Sequence, residues 1–418
     1  MRIVQINTVY KTGGSTGRIA YEINQIAAEL GNETYAIYGY ETSEMPADNS
    51  LRLQGRIRRK WNILKTRIWP HHGFYNMHET KQLIKFLDNF RPDIIHLHNI
   101  HNSYINVKML FSYIKQHHIP VVWTLHDCWS FTGWCAYFDM ANCFKWIEGC
   151  HGICPCKHDY PKTWFFNLGQ QNWNDKRQVF TGCDNLTIVT PSKWLANHVK
   201  NSFLKYYPIR VINNGVDLSV FKQKSSNVRD KYGITKNVKI VLAVMNNWEK
   251  RKGISFLLEL PKHLKSDQIL VIVGLTDKQL KVLPNEHCLG IKRTESVSDL
   301  AGLYNEASVF INPTLEDNFP TTNLEALACG TPVVTFDTGG SAESIDAETG
   351  VVVKKRDFKH LLSSIQFVIE KGKAYYANSC IIRAQRLYDS YKQNLEYVKL
   401  YNEIIKNEAK NYDTHSLL

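Results

Sequence analysis

Val309-Phe310-Ile311-Asn312-Pro313-Thr314-Leu315-Glu316-Asp317-Asn318-Phe319-Pro320-Thr321-Thr322-Asn323-Leu324-Glu325-Ala326-Leu327-Ala328-Cys329-Gly330-Thr331-Pro332-Val333-Val334-Thr335 holds a strand, a polar loop, a helix and a second strand in succession. Val309–Ile311 and Val333–Thr335 are short, apolar and β-branched, as a strand covered on both faces requires. Asn323–Ala328 keeps the helical period, and Gly330 with Pro332 ends it. A strand, a crossover helix and a strand in so few residues is the unit of a parallel sheet.

The same alternation extends in both directions. Towards the N-terminus lie strand Lys239–Val244, helix Ile254–Leu264, strand Ile269–Val273 and helix Val297–Asn305. The first half repeats the plan with strand Arg2–Asn7, a Gly-rich turn, helix Ile19–Leu30 and strand Thr34–Tyr38. Helix Thr80–Asn89, strand Ile94–Leu97, helix Val107–His117, strand Val121–Leu125 and strand Leu186–Val189 follow. The expected fold class is α/β, with two doubly wound Rossmann-like domains facing across a cleft. The expected division is 1–208, with a Cys-rich insertion at 128–156, then 209–378, then C-terminal helices over 379–418 that pack back on the first domain. Ligands of such sheets bind beyond the carboxyl ends of the strands, at the switch point of the strand order.

The chain has 418 residues, enough for two or three domains of ordinary size. Its 44% hydrophobic and 22% charged residues exclude general disorder. No apolar run is long enough to span a membrane, and Met1–Ile6 enters a strand directly without a signal-peptide core, so a cytoplasmic protein is expected. The 51 Lys+Arg against 39 Asp+Glu leave a net charge of +12, which favours anionic partners without choosing among them. Six of the ten cysteines fall between Cys128 and Cys156, and in a cytosolic protein such a cluster reads as metal ligation.

Several motifs fall where chemistry is expected. Gly14 and Ser15, in the turn Gly13–Arg18, open a helix whose free N–H groups suit an anion. His126 and Asp127 follow a strand end directly, where a histidine can donate a hydrogen bond or move a proton. His96 and His98 share one face of a strand; packing or cleft lining is favoured over a metal pair. Lys250-Arg251-Lys252-Gly253 puts three cations before a helix, a pattern suited to a diphosphate. Asp317 and Glu325 offer acids for the hydroxyls of a sugar and of a ribose. Thr321 and Thr322 lie at a helix start that can hold phosphate.

These motifs carry a resemblance. The loop around Asp317 and Glu325 looks like the acidic-x7-acidic signature of family 4 of the retaining, nucleotide-sugar-dependent glycosyltransferases, which have the GT-B fold. The Gly-rich turn, Thr124-Leu125-His126, Val189-Thr190-Pro191-Ser192, Asn214-Gly215-Val216-Asp217, Lys252-Gly253, Glu325–Pro332 and Thr338-Gly339-Gly340 stand in the family's order. His96–His101 and Trp123–Tyr137 resemble the bacterial capsule and exopolysaccharide branch, of the colanic-acid type. The resemblance implies a UDP- or GDP-linked sugar as donor, a saccharide or lipid-linked acceptor, and retention of anomeric configuration. It places His126 beside the donor sugar, Lys252 on the diphosphate and Glu325 on the ribose. Catalytic candidates are then His126, Lys252 and Asp317. Donor candidates are Gly14, Ser15, Asn247, Arg251, Lys252, Asp317, Asn318, Phe319, Pro320, Thr321, Thr322 and Glu325. Asp317 stands where the family usually has Glu, and Asn247 where it usually has Arg, with Arg251 as the candidate substitute. No catalytic metal is required.

Two further expectations concern other segments. Arg52–Tyr75 carries seven Lys/Arg, no acid and interleaved Trp61, Ile63, Leu64, Ile68 and Trp69, and is read as a dock for an anionic membrane, peripheral on the inner face of the cell membrane. Cys135, Cys143, Cys150 and Cys154 are read as ligands of a structural zinc, with Cys128 and Cys156 as alternates. Cys128–Cys156 shows no helix or strand period, so something other than a hydrophobic core is expected to order it. The rival readings are a nucleotide-sugar 2-epimerase and a non-catalytic, zinc-containing anion or nucleic-acid binder. A finger's Cys2His2 spacing and a basic-aromatic strand platform are both missing, so no nucleic-acid partner is expected.

Overall fold

The computed structural model describes residues 1–11, 14–40, 49–245 and 248–415, with side chains to 408. The chain divides into two units, Met1–Ile212 with Asn394–Leu418, and Asn213–Gln393. The first contains strands β1 (Arg2–Asn7), β2 (Glu33–Tyr38), β3 (Ser50–Arg52), β4 (Ile94–Leu97), β5 (Val121–Thr124), β6 (Leu186–Thr190) and β7 (Ile209–Val211). They form one parallel sheet in the order β3-β2-β1-β4-β5-β6-β7. The chain runs outward from β1 to β3, then returns to β4 on the other side, so the switch point lies between β1 and β4.

The second unit contains β8 (Lys239–Val244), β9 (Gln268–Val273), β10 (Cys288–Ile291), β11 (Ala307–Asn312), β12 (Val333–Phe336) and β13 (Gly350–Val353). Their order is β10-β9-β8-β11-β12-β13, again parallel, with the switch point between β8 and β11. Inner strands such as β4, β5 and β12 are buried along their whole length, which explains why they are mostly apolar, with His96, Thr124 and Thr335 as their polar residues.

Helix Ser390–His415 belongs with the first unit from Asn394 onward. Its Tyr397, Val398, Leu400 and Tyr401 complete a core of Ile3, Ile19, Ile23, Val122 and Val189. In the second unit, Gly215 lets the chain run beside the start of this helix, since a Cβ there would lie 2.3 Å from Ser390 Cα.

Two expectations change on the structure. The helix read as Ile254–Leu264 is α-helical over Ile254–Glu259 and tightens to a 3-10 turn over Leu260–His263, because Pro261 has no N–H to continue the ladder. The Cys-rich insertion does have a hydrophobic core. Trp129, Phe131, Trp134, Phe138 and Trp146 are all buried in the main core of the first unit. Its aromatic residues follow no regular period because they hang from turns, and that hid the core from the sequence pattern.

Candidate active site

In the second unit, the loops after β8 and β11 meet at the switch point. The turn Lys250–Lys252 ends at Gly253, whose φ is 73°. A Cβ on Gly253 would lie 1.9 Å from Pro313 O, so this glycine permits the close approach of the two loops. Arg251 joins them. Its backbone carbonyl accepts from Leu315 N (2.6 Å) and Thr314 Oγ1 (3.2 Å), and its Nη1 donates to Glu316 O (3.3 Å). Its Nε donates to Glu249 (2.6 Å).

Lys252 Nζ forms an ion pair with Asp317 Oδ2. Burial would raise the Asp317 pKa, but the charges of Lys252 and Arg251, the Lys252 hydrogen bond and the Asn318 N–H outweigh it and hold the carboxyl below its ordinary range. Asp317 O accepts from Gly340 N (3.1 Å), and a Cβ on Gly339 would lie 1.8 Å from that oxygen. Asn214 Nδ2 donates to Phe319 O (2.8 Å). The polar loop is thus clamped from three segments.

Helix Thr321–Ala328 begins directly after this loop with Pro320 as its N-cap and no side-chain cap; Asn323 N donates to Pro320 O (3.2 Å), and the helix start presents its positive dipole end to the loop. Thr321 and Thr322 are half-buried there. Glu325 is buried one turn on and accepts from Tyr304 Oη (3.0 Å). Asn323 anchors the helix, bonding Ser341 (3.1 Å), Ser344 (2.8 Å) and Asn312 (2.8 Å).

In the first unit, histidines collect at the carboxyl ends of β4 and β5. His96 is structural, held between Tyr401 Oη (2.6 Å) and Thr124 Oγ1 (2.8 Å). His98 lies between Gln5 Oε1 (2.8 Å) and His126 Nε2 (3.0 Å). With the Gln5 oxygen facing it, His98 Nε2 carries the proton, so His98 Nδ1 accepts from His126 and fixes that ring as the Nε2–H tautomer. Burial pushes the His126 pKa down to about 4, and His101 adds to the drop against Asp127, so the ring is neutral at pH 7.

Asp127 accepts from His101 Nε2 (2.8 Å) and Trp129 N (2.9 Å). Burial opposes its ionisation, but His101 and the Trp129 N–H prevail and keep its pKa low. Tyr160 Oη extends the chain to His101 Nδ1 (3.4 Å). Gly14 starts helix Ser15–Glu29 with a φ of 130° and no side-chain cap, leaving a second open helix start beyond β1.

The cysteines sort differently from their spacing. The sulfurs of Cys135, Cys154 and Cys156 all lie within 4.8 Å of one another, the one such group of metal-ligating side chains among the described residues. Cys143 and Cys150 stand outside this trio, although Cys150 Sγ accepts from Gly133 N (3.2 Å). Cys156 takes part because the turn after Cys154 brings both sulfurs to the Cys135 side. The thiols of Cys135 and Cys156 hydrogen-bond the Cys154 sulfur and lower its pKa well below the ordinary thiol range.

Helix Arg56–Ile68 is exposed over most of its surface. Ile57 is 76%, Trp61 67% and Trp69 55% accessible, and the neighbouring Phe165 is 67% accessible. Trp69 stacks on Phe166 (5.6 Å), and Arg67 lies over Trp164 (5.5 Å). The sequence reading found the helix side of this patch but missed Trp164–Phe166.

The second unit therefore brings together Arg251, Lys252, Asp317, Asn318, Phe319, Pro320, Thr321, Thr322 and Glu325. Gly14, Ser15 and His126 belong to the first. Asn247 lies outside the described residues. His98, His101, Tyr160 and Tyr304 were missed as site residues. Of these, only His98 and His101 had a signal, in His96-Leu97-His98-Asn99-Ile100-His101 after a strand.

Two parallel, doubly wound sheets of seven and six strands are the architecture of the GT-B class of fold. A family model described as Glycosyl transferases group 1 matches residues 238–371, and one described as Glycosyltransferase Family 4 matches residues 17–220. The chain belongs to this family and is a glycosyltransferase. WcaC of Escherichia coli (strain K12), named as a colanic acid biosynthesis glycosyl transferase, is 25% identical over 437 residues, covering 97% of this chain and 100% of that protein. The capsular polysaccharide biosynthesis glycosyltransferase CapM of Staphylococcus aureus is 26% identical over 166 residues, 38% of this chain and 44% of CapM. Among solved structures, sucrose-phosphate synthase from Thermosynechococcus elongatus superposes with a TM-score of 0.71 at 16% identity, covering 97% of this chain and 99% of that one. Anabaena HepE in complex with UDP gives 0.65 at 16% identity, covering 96% and 100%.

Proposed function

We propose that the chain transfers a sugar from a UDP- or GDP-linked donor to a saccharide or lipid-linked saccharide acceptor, with retention at the anomeric carbon, in the synthesis of a cell-surface polysaccharide. The observation that carries this reading is the Lys252–Asp317 pair beside the uncapped start of helix Thr321–Ala328, at the switch point of the second sheet. The relatives named for colanic acid and capsule synthesis, and the likeness to a UDP complex, support it.

In this reading the donor diphosphate displaces Asp317 from Lys252. Lys252, Arg251 and the helix N–H groups then face the phosphates, and Asp317 and Asn318 turn to the sugar hydroxyls. Glu325, held by Tyr304, takes the ribose hydroxyls. The bond from the anomeric carbon to the phosphate oxygen breaks while the acceptor oxygen bonds that carbon from the same face. The acceptor proton passes to the leaving diphosphate. Catalysis is positioning plus stabilisation of the departing charge, and the side chains supply that charge without a divalent cation. His126 of the first unit is neutral and held in one tautomer by His98, a state suited to hydrogen bonding rather than to carrying charge.

The exposed aromatic and cationic patch around helix Arg56–Ile68 and Trp164–Phe166 suits docking on an anionic bilayer, at ~1 kcal/mol per cation near the surface. A lipid-linked acceptor gives such docking a use. A thermal-shift panel of nucleoside diphosphates and nucleotide sugars tests the reading. One nucleobase series is expected to raise the melting temperature of the wild type and to lose that effect in Lys252→Ala. A panel in which no nucleotide stabilises the wild type would defeat it.

A further inference from the structure

The Cys-rich insertion holds a group of side chains with no part in the donor chemistry. Four thiolates around zinc at ~2.3 Å stand ~3.8 Å apart, and the sulfurs of Cys135, Cys154 and Cys156 already lie within 4.8 Å of one another. Three sulfurs converge from two separate stretches of chain, an arrangement that hydrophobic packing alone does not require.

A buried lysine stands beside them, its pKa pushed down to about 7 by burial. Lys176 is fully buried, with its ammonium donating to Trp129 O (2.7 Å) and Thr132 O (3.0 Å) and lying 3.6 Å from the Trp129 ring centroid. A buried ammonium is costly unless negative charge faces it. The groups that face it are Cys150, Cys135 and Asp127. A zinc–thiolate centre carries net negative charge, which Lys176 would balance. The fourth ligand follows from Cys150. It stands with Cys135 among the groups that face Lys176, and its sulfur already accepts the Gly133 N–H at 3.2 Å. Gly133 has no room for a side chain there, since a Cβ would lie 2.1 Å from Gly169 O and 2.8 Å from Cys150 Cβ.

We propose that Cys135, Cys150, Cys154 and Cys156 hold one structural zinc ion, with Lys176 as its buried counter-charge. On binding, every sulfur that still carries a proton gives it to solvent and the four sulfurs close around the metal, leaving no open position for substrate. The site is independent of the donor reading and connects to the histidine cluster through hydrogen bonds. Cys128 N donates to Ala136 O (2.9 Å), and Ala136 N donates to Tyr160 O (3.1 Å). Tyr160 in turn reaches His101, which holds Asp127. Joining Cys135 to Cys154 and Cys156 therefore staples the segment that positions Tyr160 and Asp127.

Metal analysis of the full chain purified without chelator tests this. One zinc per chain is expected, with cysteines that react with a thiol reagent only after a chelator is added. Cobalt in place of zinc is expected to give thiolate charge-transfer and intense visible bands of a tetrahedral site. C135S, C150S, C154S and C156S should each lose most of the zinc, and C143S should keep it. The wild-type measurements stand even where a serine variant fails to fold. Wild-type protein with a small fraction of an equivalent of zinc and natively titratable thiols, or with disulfides among these cysteines, would overturn the proposal. Zinc kept by C150S and lost by C143S would overturn the fourth ligand.

Discussion

Replacing Lys252 by Met keeps the length of the side chain and removes the cation from Asp317. Removing one partner of a buried ion pair costs about 3–5 kcal/mol, whereas an exposed pair contributes about 0–1. The side chains of Lys252 and Asp317 are 25% and 15% exposed, so the cost falls between these limits, at about 2 kcal/mol. In a unit of this size that is a fall of ~4–8 °C in melting temperature. The sign with pH follows from Asp317. Its folded pKa lies below the unfolded value of ~3.9, so its contribution is present above that pH and is lost as pH falls through the folded value. The gap between wild type and Lys252→Met is therefore widest near neutrality and closes in acid. Adding Asp317→Asn removes the stranded charge, so the double variant is expected to regain most of the lost stability. Its transfer rate stays at least ~10-fold below wild type, because the diphosphate still lacks its cation. Thermal unfolding across pH, with transfer assays on the same samples, reads both quantities. A single variant that melts with the wild type, or a double variant that recovers transfer, would refute the reasoning.

Other outcomes follow from the same contacts. Tyr304→Phe deletes the hydrogen bond to the buried Glu325 carboxylate, a contact of ~1.5–3 kcal/mol, so donor affinity should fall by ~10-fold or more; calorimetric titration with unchanged affinity would detach Glu325 from the donor. His72, His96, His98 and His126 have folded pKa values pushed below 6.5, chiefly by burial, so the unfolded chain protonates first; stability of the first unit, full above about pH 6.5, should fall as pH drops towards 4, and a flat melting profile over that window would contradict the neutral histidine cluster. Trp61→Ala with Trp69→Ala should weaken flotation with anionic liposomes while leaving the melting temperature unchanged, and flotation indifferent to anionic lipid would remove the membrane-docking reading.

The inner strands were legible because burial on both faces leaves a plain trace in sequence, as in Val309–Ile311 and Val333–Thr335. The edge strands β3, β7, β10 and β13 were not read, since each is four residues or fewer and largely lacks that doubly buried signature. In the candidate site, Lys252-Gly253 and Asp317 through Glu325 were legible because helix starts and glycine turns are local features. Partners made through space were not. Tyr304 meets Glu325 from another helix, and His98 meets His126 across paired strands β4 and β5. The cysteines teach the same point. Spacing along the chain favoured Cys143, whereas the turn through Cys154 and Cys156 decides which sulfurs converge on Cys135.

The claim that the second unit holds a nucleotide-sugar donor at the carboxyl ends of β8 and β11 is tested most directly by nucleoside diphosphate release. The purified chain is incubated without acceptor against UDP- and GDP-sugars, and the freed diphosphate is measured over time. Slow release is expected from one nucleobase series, reduced at least ~10-fold in Lys252→Ala and in Glu325→Ala. Undiminished release by a folded Lys252→Ala/Glu325→Ala double variant would contradict the account.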